Sequence, residues 1–447
     1  MITQQIPEQA RDAASVLQRA IDAVVWGTPI VSFDAMRRAF FRDAGARYGD
    51  IIYWSSVADS HLQITTPNAS SRYVWLNFNT ANGPVVLEVP PAIGAGLFGS
   101  ILDAWQVPVA DVGPHGEDGG RGGRYVLLPP GERATVIGDA IAVPLQTFNG
   151  YVLLRAIPED SSPAAAGRAL ALVHQLRISP ARGAAPAQPR LIDMAGEPFD
   201  GIVRFDDTFF DSLARMLGEE PVLPRDADMM VALATLGIEK GAPLRADPAM
   251  RALLADAARA AHASLVRGAA REGRIAWPGR QWRWPSPVGA ATNFTFETER
   301  GLDVMARGIT YFLACAPPAK LGKASLYLTA FVDSEGRALS GEHTYRLHVP
   351  AHVPAQQFWA ATVYDASTAA FIRESPCVEL SSYRDLVAND DGSYDLYFGP
   401  QVVHDHEHDW AYTEPGKPWF TMFRLYGPTD EAFGGGAWQL PDLELVT

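Results

Sequence analysis

Cysteine is nearly absent: Cys315 and Cys377 are the only two in 447 residues, and neither has a Cys or His nearby at metal-ligand spacing. A disulfide-stapled scaffold and a thiolate metal centre are therefore excluded, and the pair reads as core thiols, with one bridge between them as the other reading. Positive charge is also scarce. With 37 Lys and Arg against 51 Asp and Glu, the net charge is -14, and no Lys/Arg block offsets it locally. Such a chain repels phosphate backbones and anionic lipid, so nucleic acid and a membrane surface are not expected as partners. No apolar stretch approaches membrane-spanning length, and the opening "MITQQIPEQARDAASVLQ" lacks the basic start, apolar run and small-residue cleavage site of a signal peptide. The expectation is a soluble, cytoplasmic protein.

Catalytic and nucleotide signatures are missing as well. No GxSxG elbow occurs, which argues against a serine nucleophile among Ser55, Ser56 and Ser60. The glycine-rich "VGPHGEDGGRGGRYVLLPPG" runs into a strand and a turn rather than a helix, so it is not a phosphate cradle and no nucleotide cofactor is expected. Its glycines predict a long hairpin loop with positive φ.

What is present is a 47% hydrophobic content, enough for a large core or two to three ordinary ones. Residues 1–45 read as two helices separated at "GTP", with Ser32 capping the second. From 46 to 160 the pattern is one of strands: Val74, Leu76 and Phe78 alternate with Tyr73, Trp75 and Asn77 before an "NG" turn. Residues 161–285 are a helical linker region, in which Asp207 and Asp247 are placed to cap helices. Strands return in 286–447. The fold class expected is mainly β with a substantial helical part.

Several ordered motifs carry a resemblance. The run "TTPNASSRYVWLNFNTANGPVVLEVPPA", followed by "LDAW", "GRGGRYVLLPPG" and "LLRAIPED", is similar to the bacterial domain of unknown function numbered 1254. The run "ASLYLTAFVDSEGRALSGEHTYRLHVP" through "FWAATVYD", "NDDGSYDLYFGP" and "FRLYGP" resembles its usual partner, the domain of unknown function numbered 1214. The resemblance implies two jelly-roll-like β-sandwich domains joined by a helical segment, and little chemistry. Where related chains commonly carry an Asp after Pro-Asn-Asn, this chain has Ser70.

Three clusters bear chemistry. In the first, His61 as general base, Asp59 to orient it, and Asp103 form a candidate catalytic set, with Trp54, Asn68, Arg72, Tyr73 and Trp105 as candidate substrate-binding residues. The bland reading has Asn68 and the serines building a turn. In the second, His404, His406 and His408 alternate with Asp405 and Glu407 in "VVHDHEHDWAY". On a strand these histidines would share one face about 6.5 to 7 Å apart, suiting one divalent metal, whereas in a solvated loop no ligand geometry follows. The third, Trp277, Trp282 and Trp284 interleaved with Arg280 and Arg283, fits either a sugar-stacking platform or an aromatic clamp at a domain junction.

Two functions remain open. One is an enzyme acting on a small organic molecule by acid–base or hydrolytic chemistry, in a pocket at the sandwich ends or their junction. The other is a non-catalytic carbohydrate-binding or assembly protein. Edge strands would permit a homo-oligomer.

Overall fold

In the computed structural model, residues 8–132, 138–160, 162–181, 188–319, 325–433 and 438–446 are described. Part of the Ala/Pro-rich linker sequence, residues 182–187, lies outside them. The fold is mainly β, with seven α-helices among the described residues. In the first half the strands are β1 (Arg72–Asn79), β2 (Val85–Val89), β3 (Gly96–Asp103), β4 (Pro108–Val112), β5 (Gly123–Leu128), β6 (Ile141–Pro144), β7 (Asn149–Ile157) and β8 (Arg177–Pro180). In the second they are β9 (Ser325–Ala330), β10 (Tyr345–Val349), β11 (Ala355–Asp365), β12 (Glu379–Ser381), β13 (Tyr394–Gly399), β14 (Trp410–Tyr412), β15 (Trp419–Pro428) and β16 (Glu444–Leu445).

The two halves repeat one topology. The large sheet of the first half runs β1-β7-β3-β4 and that of the second β9-β15-β11-β12, while the small sheets run β8-β2-β5-β6 and β16-β10-β13-β14. Adding eight to a strand's number gives its counterpart. The senses agree too: β5 pairs β6 in parallel, β13 pairs β14 in parallel, and the other neighbours are antiparallel. Each large sheet gains two short strands on the edge beside β1 or β9: Ile51–Tyr53 with Leu191–Asp193, and Arg283–Trp284 with Arg274–Ile275.

Strand alternation explains the layering. Val74, Leu76, Phe78, Val152 and Leu154 face Leu87, Tyr125 and Leu127 of the small sheet across one apolar core. Leu328, Val363, Phe423 and Leu425 do the same with Leu347, Leu396 and Phe398 in the second half. The opposite faces of the large sheets are buried as well. Trp75, Tyr151 and Leu153 from one, and Tyr364, Phe420 and Met422 from the other, join a third core with the helices. Both large sheets therefore turn their outer faces inward, toward one another.

The helices filling that space are α1 (Glu8–Arg42), α3 (Thr208–Glu219), α4 (Ala227–Ala234), α5 (Pro248–Ala269) and α7 (Val304–Leu313), whereas α2 (Pro163–Val173) packs into the core of the first half and α6 (Pro287–Ala291) lies against a small cluster with α7. The break expected at "GTP" is not there: α1 passes through Pro29, and Ser32 is buried inside it rather than capping a second helix. Proline deprives the carbonyl four residues earlier of its donor, but burial on several sides outweighs that loss. Polar side chains also serve the surrounding turns. The Thr28 hydroxyl donates to the Val24 carbonyl, Arg307 to that of Trp26 and Gln106 to that of Pro29, each at 2.8 Å. Gly308 lets α7 approach closely, since a Cβ there would lie 2.9 Å from the Val25 carbonyl.

Asp247 caps α5, accepting from the Met250 N–H at 2.8 Å. Asp207 precedes α3 without making a side-chain cap bond, and Asp206 accepts from the Thr208 N–H instead.

Candidate functional site

His61 and Asp59 do meet, Nδ1 to Oδ1 at 3.0 Å, but both are half exposed. They stand beside a cleft of about 240 Å³ between the halves, bordered by Phe199, Asp200, Arg373 and Glu374. Arg373 is paired to Asp200 at 2.9 Å. Asp103 is not part of this cleft. It is buried at the end of β3, where its Oδ1 accepts the Trp105 and Val107 N–H groups at 2.9 Å and closes the turn. Burial pushes its carboxyl up to about 7 against those two bonds. Trp54 and Trp105 are core residues, Trp54 packing on Tyr73 and Phe199 and Trp105 on Trp26. Arg72 donates to the Ser55 carbonyl at 3.1 Å.

The backbone decides between the two readings of the histidine triplet in favour of the loop. Residues 404–409 form turns, not a strand, and Asp405 has a φ of 65°, so alternation does not align the three rings. His404 pairs with Asp405 at 2.9 Å, His406 stacks on Tyr397, and His408 is exposed. Among the described residues, no three His, Cys, Asp or Glu side chains gather so as to hold a metal ion. The glycine-rich loop has the expected positive φ at Gly113, Gly119, Gly120 and Gly122, with buried Asp118 accepting the Gly113 and Gly122 N–H groups, but it crosses from β4 of the large sheet to β5 of the small one instead of closing a hairpin.

A different constellation forms where the outer faces of the large sheets meet. In the first half Tyr73 of β1 lies directly opposite Arg155 of β7; in the second, Tyr327 of β9 lies opposite Arg424 of β15. The two pairs are counterparts, strand for strand. Each guanidinium sits over a tyrosine of its pair, at 5.6 Å for Arg155 on Tyr73 and 5.3 Å for Arg424 on Tyr327. Asn68 and Tyr73, both expected as binding residues, belong here: the Asn68 side chain donates to the Tyr426 hydroxyl, and its backbone N–H donates to that of Tyr73 at 2.8 Å.

The arginines differ in their partners. Arg424 donates to the Thr362 hydroxyl at 2.7 Å and the Thr66 carbonyl at 3.1 Å. The Arg155 side chain makes no hydrogen bond or ion pair among the described residues. The nearby carboxylate of Glu379 is occupied by the Ser70 and Thr362 hydroxyls. Arg155, Cys315, Tyr327 and Tyr426 are each half-buried at this junction. From it a stack of rings leads outward: Tyr426 on Phe358 at 4.1 Å, and Phe358 on Tyr383 at 4.4 Å, with Tyr383 68% exposed.

Electrostatics single out Tyr327. Burial works to raise its pKa, but Arg155, Arg424 and hydrogen bonds from Ser325 and Tyr426 outweigh it and leave the phenol below its ordinary value. Tyr426, buried and beside Tyr327, is held well above it. Burial likewise pushes the Cys315 thiol up to about 11, so it is no nucleophile at neutral pH. Two neighbouring phenols with separated affinities for a proton can hand one on. None of Arg155, Tyr327, Arg424 and Tyr426 stood out in the sequence, although "LLRAIPED", "ASLYLTAF" and "FRLYGP" contain them; an arginine interrupting an otherwise apolar strand was the available signal.

Residues 49–180 match the family model described as a protein of unknown function (DUF1254), and residues 324–430 match that of a second (DUF1214). The chain carries both domains, in that order. The DUF1254 match spans β1 to β8 and the DUF1214 match spans β9 to β15, one for each repeat of the topology. The VPA0106 protein from Vibrio parahaemolyticus has a similar fold, with a TM-score of 0.55 and 17% identity over 97% of this chain and 100% of that one. An uncharacterised protein from Burkholderia cenocepacia aligns over 98% of this chain and 96% of its own at 13% identity and a TM-score of 0.43. No curated protein matches the chain.

Proposed function

We propose that the two halves are jelly-roll-like sandwiches holding between them an acid–base site, at which the chain acts as an enzyme on a small organic molecule. The observation that carries this reading is Tyr327, a half-buried phenol flanked by two guanidiniums. In its ionised form it accepts a proton from a substrate; Tyr426 donates a hydrogen bond to it, and Arg155 and Arg424 offset the negative charge that develops. The His61–Asp59 pair is too exposed for a comparable effect, because water screens it. The carbohydrate-binding alternative relied on aromatic surface, and Trp277 and Trp282 are buried in the second sandwich.

The test is a screen of purified protein against esters, lactones and enolisable keto acids, repeated with Tyr327→Phe and His61→Ala. The expected result is an activity that falls at least a hundredfold in Tyr327→Phe and stays within twofold in His61→Ala. Activity that survives Tyr327→Phe would sink the assignment.

A further inference from the structure

We infer that the junction of the two large sheets takes a small planar aromatic carboxylate, its carboxylate on Arg155 and its ring among the aromatic side chains that lead to the surface. This rests on that junction being the functional site, as proposed above, and adds what binds there.

Charge is the first reason. Arg155 and Arg424 bring two guanidiniums to the junction, and the carboxylate near them, Glu379, is already engaged by two hydroxyls. A half-buried cation without a partner carries a desolvation cost, and an anion of matching geometry relieves it. Arg424 is committed to Thr362 and Thr66, whereas the donors of Arg155 have no protein acceptor among the described residues. A free guanidinium fork suits a carboxylate, which it grips with two parallel hydrogen bonds. The Tyr327 and Tyr426 hydroxyls and the Asn68 amide lie at the same junction and can complete its coordination.

Surface is the second. Phosphate would also suit an arginine, but it has no apolar part to cover the walls. These walls are flat rings: Tyr73 beneath Arg155, Tyr327 opposite, and the Tyr426–Phe358–Tyr383 stack toward solvent. An aromatic ligand gains edge or face contacts with them that a saturated ring of similar size does not.

The experiment is isothermal titration calorimetry on the full chain with four probes at one ionic strength: benzoate, benzamide, cyclohexanecarboxylate and inorganic phosphate. Benzoate is expected to bind at least tenfold more tightly than benzamide or phosphate and severalfold more tightly than cyclohexanecarboxylate. Arg155→Met should weaken benzoate at least tenfold with at most a small shift in thermal midpoint, and Tyr383→Ala about threefold. Equal affinity for benzoate and benzamide, preference for phosphate, or unchanged binding in a folded Arg155→Met would overturn the inference. Should Arg155→Met not fold, the probe series on the unmodified chain and on Arg155→Lys decides. Benzoate binding with no turnover in the substrate screen would remove the enzyme reading and leave this one; turnover of non-aromatic substrates without benzoate binding would do the reverse.

Discussion

The Tyr73–Arg155 and Tyr327–Arg424 pairs hold the same place in two copies of one strand order, yet their arginines have different work. Arg424 is fastened to a hydroxyl and a carbonyl and braces the second half against the Thr66 segment. Arg155 rests on a ring and is otherwise free. A repeated topology thus places the same residue types twice, while local partners decide which copy is structural and which is available. The strand ends show a similar contrast. Asp103 closes β3 and Asp365 closes β11, each accepting an N–H two residues on, but Asp103 is buried and Asp365 half-buried.

Removing the tied arginine should have the largest effect. Arg424→Met gives up two charge-assisted hydrogen bonds in the interior, and a loss of about 3 kcal/mol in urea unfolding is expected. A loss below about 1 kcal/mol would show that the bracing role is wrong. Next comes the buried aspartate. With its pKa raised from 3.8 to about 7, Asp103 in the folded state keeps a proton that the unfolded chain has released. Its contribution to stability is therefore full below the ordinary aspartate range and is lost as pH rises through about 7, at about 1.4 kcal/mol per pH unit within that window. Asp103→Asn keeps both acceptor bonds and should flatten the fall in thermal midpoint between pH 5 and pH 8; Asp365→Asn is the matched control.

Arg155→Met should cost less than about 1 kcal/mol, because it loses a ring contact and sheds an unpaired buried charge. A loss equal to that of Arg424→Met would erase the distinction between the pairs. The smallest effect is expected at the exposed histidines. His404→Ala with His406→Ala should change stability by no more than about 0.5 kcal/mol, and metal content measured by plasma mass spectrometry should match that of the unmodified protein. A stoichiometric metal lost on this double substitution would restore the metal reading.

Much of the strand pattern was legible in particular residues. Val74, Leu76 and Phe78 did alternate onto one face, and Asp247 with Pro248 did open a helix, because period and capping are local properties. Pro29 misled for the opposite reason. Its local penalty is real, but the packing that overcomes it comes from α7, α5 and α3, far along the chain. The histidine triplet left a strand and a loop both open, because alternation in sequence has meaning only on a strand; Asp405 turns the backbone and the loop reading holds. Within the candidate site Asn68 and Tyr73 were within reach, both lying in one dense polar stretch. Arg155 and Arg424 were not, since 269 positions separate them and nothing short of the fold says that both flank Tyr327.

By itself the sequence determined a mainly β chain with helices, the order of its two domains, and the exclusion of nucleotide-binding and serine-hydrolase motifs, because these rest on composition, periodicity and contiguous motifs. Only the tertiary structure decided that both large sheets bury their outer faces, that the two Tyr–Arg pairs meet there, and that one arginine is left open. Those facts depend on long-range packing, which brings distant strands together and leaves each buried charge to be paired or not by its neighbours.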